Sequence, residues 1–346
     1  MCENYLCLNA NSVIAFVLDR SGGRHRTLME VRFWGTRGSI PASLTAENVW
    51  EKVRHALEIA RDKKFGAGAD IDAFMEEELP FWAKATYGTN TPCLEIRDGE
   101  DFLLCDAGTG LRDFGNEYLR TYGPGFPGNF HILLTHFHWD HIQGFPFFVP
   151  AYIKGTRITF YGCHEELKKA LTLQQDSPFF PVRLKDLPAE VRFLDLDPDE
   201  RYEIEGFEVL AKKQNHPGLS YGYRFERDGR SIVYSTDAEH KFETDEEERP
   251  FIRFFDRADL LIFDAQYPFL DAVTTKEDWG HSNSFQGVEL AMKARVKHLC
   301  LFHNDPATSD KDLDNLLKET EELVPLVTEG GRLKVSIAWD GRVIAV

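Results

Sequence analysis

Three histidines and one aspartate lie within six consecutive positions of the sequence, namely His136, His138, Asp140 and His141. They follow an apolar run, Phe130 to Leu134, that predicts a buried strand ending at His136. Histidine is the commonest protein ligand for divalent metals of intermediate softness, and a carboxylate can complete a coordination sphere or bridge two ions. A packed strand has no structural use for four such groups so close together. The cluster therefore predicts a metal site and, with it, metal-dependent chemistry.

Further ligands must come from distant parts of the chain, and three residues follow apolar strand-like runs. His216 comes after the run 210–213, Asp237 ends the run 232–237, and His303 ends the run 299–303. Taken alone, either histidine is more simply a core or loop residue, and Asp237 a turn residue. Functional side chains are often carried on the loops at strand ends, where they can converge on one edge of a sheet. This shared placement makes the three residues candidate partners of the cluster, suited to Zn, Mn or Fe.

The hydrophobic pattern predicts two successive rounds of strands followed by helices. In the first half, strands are expected at 31–34, 91–97, 101–105, 130–134, 156–161 and 191–194, and helices at 111–122 and 165–174. In the second half, strands are expected at 207–213, 220–226, 231–235, 260–263 and 298–302, and helices at 284–293 and 309–323. Asp98-Gly99 and Asp228-Gly229 predict tight turns between neighbouring strands. The two rounds predict an α/β fold in which two sheets pack together with helices outside.

The segment at about 46–82 predicts a helical insertion in the main domain. Trp50, Val53, Leu57 and Ala60 recur near a period of 3.6 residues, and a second, acidic helix is expected at 70–78. Packing of this apolar stripe on the core is the default expectation, and a cap over the site or a dimer contact are the alternatives. We predict one domain over 29–346, preceded by an extension over 1–28 for which disorder is expected. A signal peptide is the less favoured interpretation of the extension, because a basic n-region and a cleavage site are missing.

The motif His136-x-His138-x-Asp140-His141 resembles the signature of the metallo-β-lactamase superfamily, and the three distant residues follow in the order of its remaining ligands. The resemblance covers residues 30–346 apart from the insertion. It implies an αββα sandwich of two mixed β-sheets flanked by helices, with two divalent metal ions at one edge of the sheets. Zn is the preferred ion, and Mn or Fe are alternatives. The implied ligand sets are His136, His138 and His216 for one ion, Asp140, His141 and His303 for the other, and Asp237 as the bridge.

A second motif, Trp279-Gly280-His281-Ser282-Asn283, resembles the phosphodiesterase branch of that superfamily, which includes ribonuclease Z and the phosphoribosyl cyclic phosphate phosphodiesterase. The matching histidine in that branch acts on the phosphate as a general acid or an electrostatic stabiliser. The resemblance therefore implies His281 as a catalytic residue, together with the ligand Asp140. Ribonuclease Z inserts its tRNA-gripping arm between the residues that match His216 and Asp237, whereas here only 21 positions separate them. We therefore do not expect tRNA as a substrate.

The resemblance implies a binuclear metal-dependent hydrolase of a small phosphodiester, with a cyclic nucleotide or another cyclic phosphate as the expected substrate. Two neighbouring divalent ions lower the pKa of a water and supply hydroxide as the nucleophile. A lactonase, thioesterase or β-lactamase on the same site is the first alternative. A flavodiiron-type oxidoreductase is an alternative from a different class of enzyme, and it would require an added flavin-binding domain. A non-catalytic module that binds metal or a nucleotide is the alternative outside the enzymes.

Three further charged residues are candidates for supporting roles. Asp106, at a strand end, is expected to orient a ligand histidine, with a turn or capping carboxylate as a nearly equal alternative. Asp264, also at a strand end, has the same interpretation with less support. Arg37, in a glycine-rich turn, is either a phosphate-binding residue or a solvated loop arginine.

Composition excludes several classes of partner. The net charge is −17, from 40 Lys+Arg against 57 Asp+Glu, so the surface repels polyanions and long nucleic acid is not expected. The six cysteines include no C-x-x-C pair, which suits reduced thiols. No run approaches the roughly 20 apolar residues needed to span a bilayer. We therefore expect a cytoplasmic protein with a small-molecule substrate and no membrane contact, and we leave a homodimer open.

Overall fold

Two seven-stranded mixed sheets form the centre of the molecule. The computed structural model describes residues 29–61, 63, 70–268, 274–327 and 332–346. The expectation of disorder for residues 1–28 lies outside this part of the chain. Helices flank the outer faces of the two sheets, so the expected αββα sandwich is confirmed. In the part of the chain that the structure describes, no helix is both long and apolar enough to cross a membrane.

The first sheet has the strand order β14-β1-β2-β3-β4-β5-β6. The pairs β14–β1, β1–β2 and β2–β3 are antiparallel, whereas β3, β4, β5 and β6 are parallel to one another. Its strands are β1 (Glu30–Gly35), β2 (Cys93–Asp98), β3 (Asp101–Cys105), β4 (Asn129–Leu133), β5 (Arg157–Gly162), β6 (Glu190–Asp195) and β14 (Val343–Ala345). Its helices are α4 (Gly110–Tyr122), α5 (Trp139–Ile142) and α6 (Leu167–Gln174), with short 3₁₀ turns at Phe145–Phe147, Val149–Tyr152 and Leu184–Asp186.

The second sheet has the strand order β13-β12-β11-β10-β9-β8-β7. β10 to β13 are parallel, and β7, β8 and β9 join them through antiparallel pairs. Its strands are β7 (Arg201–Ile204), β8 (Phe207–Gln214), β9 (Ser220–Arg227), β10 (Arg230–Ser235), β11 (Leu260–Asp264), β12 (His298–Phe302) and β13 (Lys334–Ile337). Its helices are α7 (Asp245–Phe255), α8 (Ser284–Lys293) and α9 (Asp310–Val327).

Three apolar clusters separate the four layers. The cluster between the sheets joins side chains of both, such as Phe33 of β1 with Phe302 of β12, whose ring centroids are 6.1 Å apart. A second cluster packs Phe114 of α4 against the outer face of the first sheet, and a third packs Val288 of α8 against the second sheet. The central strands β11 and β12 are therefore buried on both faces, as expected where helices cover a sheet, whereas the edge strand β6 remains largely exposed.

The helical insertion consists of α1 (Ala46–Arg61), α2 (Ile71–Glu78) and α3 (Phe81–Lys84). Its predicted helices are confirmed, but the default expectation that the apolar stripe packs on the core is wrong. Trp50, Val53 and Leu57 are 64%, 54% and 64% exposed, and α1 contains no buried residue. A polar contact attaches the helix instead, because Lys52 Nζ lies 2.6 Å from the buried carboxylate of Asp310. The domain boundaries and the homodimer remain predictions.

Candidate metal centre

The predicted metal-binding residues follow the ends of strands and lie together at one edge of the two sheets. His136 follows β4 in the first sheet, whereas His216 follows β8, Asp237 follows β10 and His303 follows β12 in the second. These strands run in the same direction within their sheets, so their carboxyl ends meet at a common edge. All seven residues that the sequence selects come together there, in two groups that share Asp237.

The first group contains His136, His138, His216 and Asp237, whose ligand atoms all lie within 4.8 Å of one another. His216 Nε2 is 3.1 Å from His138 Nδ1. Asp237 Oδ2 is 3.5 Å from His136 Nε2 and 3.7 Å from His216 Nε2. His138 is the exposed member of the group, so the site opens to solvent on its side.

The second group contains Asp140, His141, Asp237 and His303, all of them buried. His303 Nε2 is 3.2 Å from Asp140 Oδ2 and 3.2 Å from Asp237 Oδ1. His141 Nε2 is 3.1 Å from the same Asp237 Oδ1. The two oxygens of Asp237 thus face different groups, which is the arrangement expected of a bridging carboxylate.

Several of the predicted histidine ligands donate a hydrogen bond from Nδ1, which leaves the Nε2 atom of each ring as the one that can bind metal. His141 Nδ1 donates to Asp106 Oδ2 at 2.8 Å, and His216 Nδ1 donates to the carbonyl oxygen of Gly280 at 2.8 Å. His303 Nδ1 donates to Gln266 Oε1 at 2.9 Å. Thr135 Oγ1 donates to Asp106 and accepts from His136 Nδ1 at 3.0 Å. Such partners fix the ring orientation and the tautomer of metal-binding histidines.

The residues present fit a metal that the structure does not contain. The buried Nε2 of His136 has no hydrogen-bond partner. His141 Nε2 and His303 Nε2 lie 3.3 Å apart, and both also face Asp237 Oδ1 at 3.1 and 3.2 Å, so nitrogen and oxygen ligand atoms converge on one point. A buried polar atom without a partner carries a free-energy cost, which a cation bound between these nitrogens removes. Imidazole and carboxylate donors suit Zn, Mn and Fe.

The ionisation of the first group also favours a cation. Burial lowers the pKa of His136, His138 and His216, which keeps these rings neutral and able to bind metal. Burial alone raises the pKa of Asp237, but the neighbouring histidines outweigh it and hold that pKa well below its usual range. Asp237 is therefore ionised at neutral pH, and its negative charge is buried.

Two metal-site residues and one supporting residue adopt left-handed backbone conformations. The φ angles are 60° at Asp106, 48° at Asp237 and 63° at His303. Residues other than glycine lose roughly 1–3 kcal/mol each in sparsely populated backbone regions, and such residues cluster at functional sites. The three residues follow β3, β10 and β12, so the strained turns lie where each strand ends at the site.

His281 lies beside the metal groups, as the sequence predicts. Its ring stacks on that of His303 with centroids 5.1 Å apart, and His281 Nδ1 donates to Asp264 Oδ2 at 2.8 Å. Burial lowers the pKa of His281, but the carboxylate of Asp264 outweighs burial and raises that pKa to about 9. Asp106 contacts His141, as expected of a residue that orients a predicted ligand, whereas Asp264 contacts His281, which is not one of the predicted ligands.

Arg37 does not have the phosphate-binding role that the sequence left open. Its side chain is buried and donates to the carbonyl oxygens of Gly88, Asp305 and Thr308 at 2.8 to 3.0 Å. Its remaining amino group is 3.3 Å from the carboxylate of Asp310. The guanidinium is therefore used to connect loops, and the alternative of a solvated loop arginine is also wrong.

Sequence reasoning missed three residues that hold the site in place. The backbone N–H of Ser39 donates to Asp140 Oδ2 at 2.8 Å, and Gln266 Nε2 donates to Ser39 Oγ. The buried carboxylate of Glu239 accepts the backbone N–H groups of Asp278 and Gly280, next to His281. Ser39 and Asp140 are 101 positions apart, and their pairing carries no local signal.

The four-layer sandwich brings paired histidine and aspartate groups together in a site that could hold divalent metal ions. Residues 102–304, more than half of the chain, match the family model described as the beta-lactamase superfamily domain, and the chain belongs to that superfamily. The predicted membership is thereby confirmed.

Individual relatives support the same class. Ribonuclease Z of Picrophilus torridus is 24% identical over 294 residues, which cover 68% of this chain and 86% of the relative. The crystal structure of unliganded yeast PDE1 has a TM-score of 0.62 at 14% identity, covering 92% of this chain and 100% of that one. The metallo-β-lactamase fold protein YhfI from Bacillus subtilis has a TM-score of 0.58 at 20% identity, with coverages of 92% and 100%. The two structures support the fold, and the sequence match adds a ribonuclease among the relatives.

Proposed function

We propose that the protein is a binuclear metal-dependent phosphodiesterase that acts on a small phosphodiester, either a cyclic nucleotide or another cyclic phosphate. The observation that carries the proposal is His281, whose Nδ1 donates to Asp264 and whose ring lies beside the two candidate metal-binding groups joined by Asp237. His136, His138 and His216 would hold one ion, Asp140, His141 and His303 the other, and Zn is the preferred metal. Bound divalent ions would activate water and neutralise charge on the phosphate.

The chain itself supplies orientation and a proton. Asp264 accepts a hydrogen bond from Nδ1 of His281. Nε2 of that ring is therefore the atom that can donate a proton to a leaving alkoxide. Asp106 and Gln266 orient His141 and His303 from behind. Because His138 is the exposed member of the candidate ligands, a substrate would approach the metals from that side. Carboxyl-ester hydrolysis on the same metals has no need of a histidine at position 281, which makes a lactonase, thioesterase or β-lactamase less favoured.

Turnover of simple phosphodiesters tests the proposal directly. Protein stripped by a chelator and reloaded with Zn²⁺ or Mn²⁺ is expected to hydrolyse bis-p-nitrophenyl phosphate and at least one cyclic nucleotide or cyclic phosphate. His281→Ala is expected to lower kcat by about 100-fold or more, as loss of a positioned proton donor does. His131→Ala is the matched control, since that histidine bonds to Tyr161 and belongs to neither metal group. Undiminished turnover by His281→Ala would contradict the role of His281.

RNA is the second candidate, because relatives such as the Picrophilus torridus protein are named ribonuclease Z. A net charge of −17 and the short interval between His216 and Asp237 weigh against a long polyanion. Cleavage of a tRNA precursor, compared with cyclic phosphates at equal enzyme concentration, distinguishes the two. Faster turnover of the precursor would make RNA the substrate and exclude the small phosphodiester.

A further inference from the structure

Two tryptophans stand exposed beside the candidate metal centre. Trp139 lies between the predicted ligands His138 and Asp140 and is 65% exposed. Trp279 lies two positions before His281 and is 54% exposed. Large aromatic side chains gain free energy when their faces are covered, so two exposed indoles next to one site indicate a surface that a ligand covers.

The backbone fixes Trp279 relative to the metal-binding residues. Its neighbour Gly280 has a φ of +84° and accepts the Nδ1 proton of His216. A Cβ atom at this glycine would lie 2.4 Å from His216 Nδ1, so the chain passes directly against that ring. Tyr267 contacts both His281 and Trp279 edge-on, with centroid distances of 5.5 and 6.4 Å. Trp279 is therefore a fixed part of the rim of the site.

Positive charge accompanies the exposed indole. Lys276 Nζ lies 3.8 Å from the centroid of the Trp279 ring, and more than half of that tryptophan remains exposed. Glu277 and Asp278 of the same turn both face Lys241, so the negative charges beside Lys276 have a cationic partner of their own. A flat ring and a cation at the entrance to a phosphate-binding site together suit a ligand with a flat ring and a nearby negative charge.

We infer that Trp139 and Trp279 form a stacking platform for the base of a nucleotide, and that the substrate is therefore a nucleoside cyclic phosphate or another small nucleotide phosphodiester. The inference rests on the proposed function and narrows its substrate class. Both tryptophans determine specificity, while proton transfer belongs to His281. Cyclic phosphates of glycerol or a simple sugar have no ring to stack and are poorer substrates.

Two substrates with the same reacting group test the platform. Adenosine 2′,3′-cyclic phosphate and glycerol 1,2-cyclic phosphate both contain a five-membered cyclic phosphodiester, and only the first has a base. The metal-loaded enzyme is expected to have the higher kcat/KM for the adenosine compound. Trp279→Ala and Trp139→Ala are each expected to lower that preference by about tenfold, mainly through KM, and Trp279→Phe is expected to retain most of it. Phe126→Ala is the control, because Phe126 is half-exposed and precedes β4 at the end opposite His136.

A binding measurement separates this inference from the proposed function. Calorimetry with adenosine 5′-monophosphate and glycerol 1-phosphate, on metal-loaded wild type and Trp279→Ala, requires no turnover. The platform is overturned if both tryptophan variants keep the wild-type preference, or if they lose both substrates equally. If wild type hydrolyses no phosphodiester, the proposed function fails. In that case, weaker binding of adenosine monophosphate by Trp279→Ala than by wild type would still support the platform. Equal binding by the two proteins would overturn it.

Discussion

At the scale of single residues, the contact between His281 and Asp264 determines when a proton is available. A general acid acts only while protonated, so activity is expected to fall as pH rises through the pKa of His281. That pKa is raised to about 9 because Asp264 and further carboxylates outweigh the effect of burial. Bound cations would lower it from this value toward neutrality, where proton transfer is most effective.

Asp264→Asn is expected to move the alkaline limb of the kcat profile to lower pH by about one unit or more. The variant keeps a hydrogen-bond acceptor for His281 but removes the negative charge that favours the protonated ring. The measurement is kcat against pH at saturating substrate. Asp259→Asn serves as the control, since Asp259 precedes β11 at the end opposite Asp264 and pairs with Lys297. An alkaline limb that stays in place would show that the charge of Asp264 does not set it.

Glu239 positions the predicted metal ligand His216 indirectly, through the backbone of Gly280. Its carboxylate holds the backbone N–H groups of Asp278 at 3.0 Å and of Gly280 at 3.2 Å. Gly280 in turn accepts the hydrogen bond from His216 that frees Nε2 for metal. Glu239 is thus a positioning residue for a predicted metal ligand, although it belongs to neither candidate metal-binding group.

Glu239→Gln is expected to weaken Zn²⁺ affinity by about 10- to 100-fold, the usual effect of losing a partner that orients a ligand. The glutamine amide group would face one of the two backbone N–H groups and leave it without an acceptor. Titration with a competing chelator measures the affinity. Glu277→Gln is the matched control, because Glu277 is an exposed carboxylate of the same turn and pairs with Lys241. Equal affinities of the two variants would contradict the positioning role.

At the scale of elements, α1 is attached to the domain through Asp310, the first residue of α9. Asp310 accepts from Lys52 of α1 at 2.6 Å, from Arg37 at 3.3 Å and from the backbone N–H of Tyr87 at 2.9 Å. Arg37 also donates to the carbonyl oxygens of Asp305 and Thr308, which belong to the loop that follows His303. The insertion and a site loop therefore share one buried carboxylate.

Asp310→Ala is expected to lower the free energy of unfolding by about 3–5 kcal/mol, because it leaves two cationic groups without their buried partner. Urea denaturation measures the change. Asp312→Ala removes an exposed carboxylate from the first turn of the same helix and is expected to cost about 1 kcal/mol or less. Similar losses in the two variants would mean that Asp310 acts only on the helix dipole.

The strands and helices that the sequence did not predict have recognisable physical reasons. β7, β13 and β14 have only three or four residues each and carry little periodic signal. Pro250 lies inside α7 and reads as a helix breaker, although Thr244 followed by Glu247 is a capping signal that could have located the start of that helix. The predicted metal-binding residues could be located because they form a dense cluster or directly follow apolar strand-like runs. Ser39 and Glu239 could not, because their roles depend on contacts between loops that are distant in the sequence.

At the scale of the whole molecule, the candidate metal centre joins the two sheets. His136, Asp140 and His141 come from the first half of the chain, and His216, Asp237 and His303 come from loops that follow strands of the second sheet. An unfolded chain cannot keep these six residues together. Metal bound there would therefore favour the folded state of the entire sandwich and not of one loop alone.

Metal is accordingly expected to raise the stability of chelator-treated protein against unfolding. At a free Zn²⁺ concentration of about 100 times the dissociation constant, one occupied site adds about 2.7 kcal/mol to the free energy of unfolding. Asp237→Ala is expected to reduce this increment to near zero, because Asp237 contacts the histidines of both groups. Asp197→Ala, which removes an exposed carboxylate between β6 and β7, is expected to keep it. Thermal unfolding with and without Zn²⁺ measures the increment, and a full increment in Asp237→Ala would place the bound metal elsewhere in the protein.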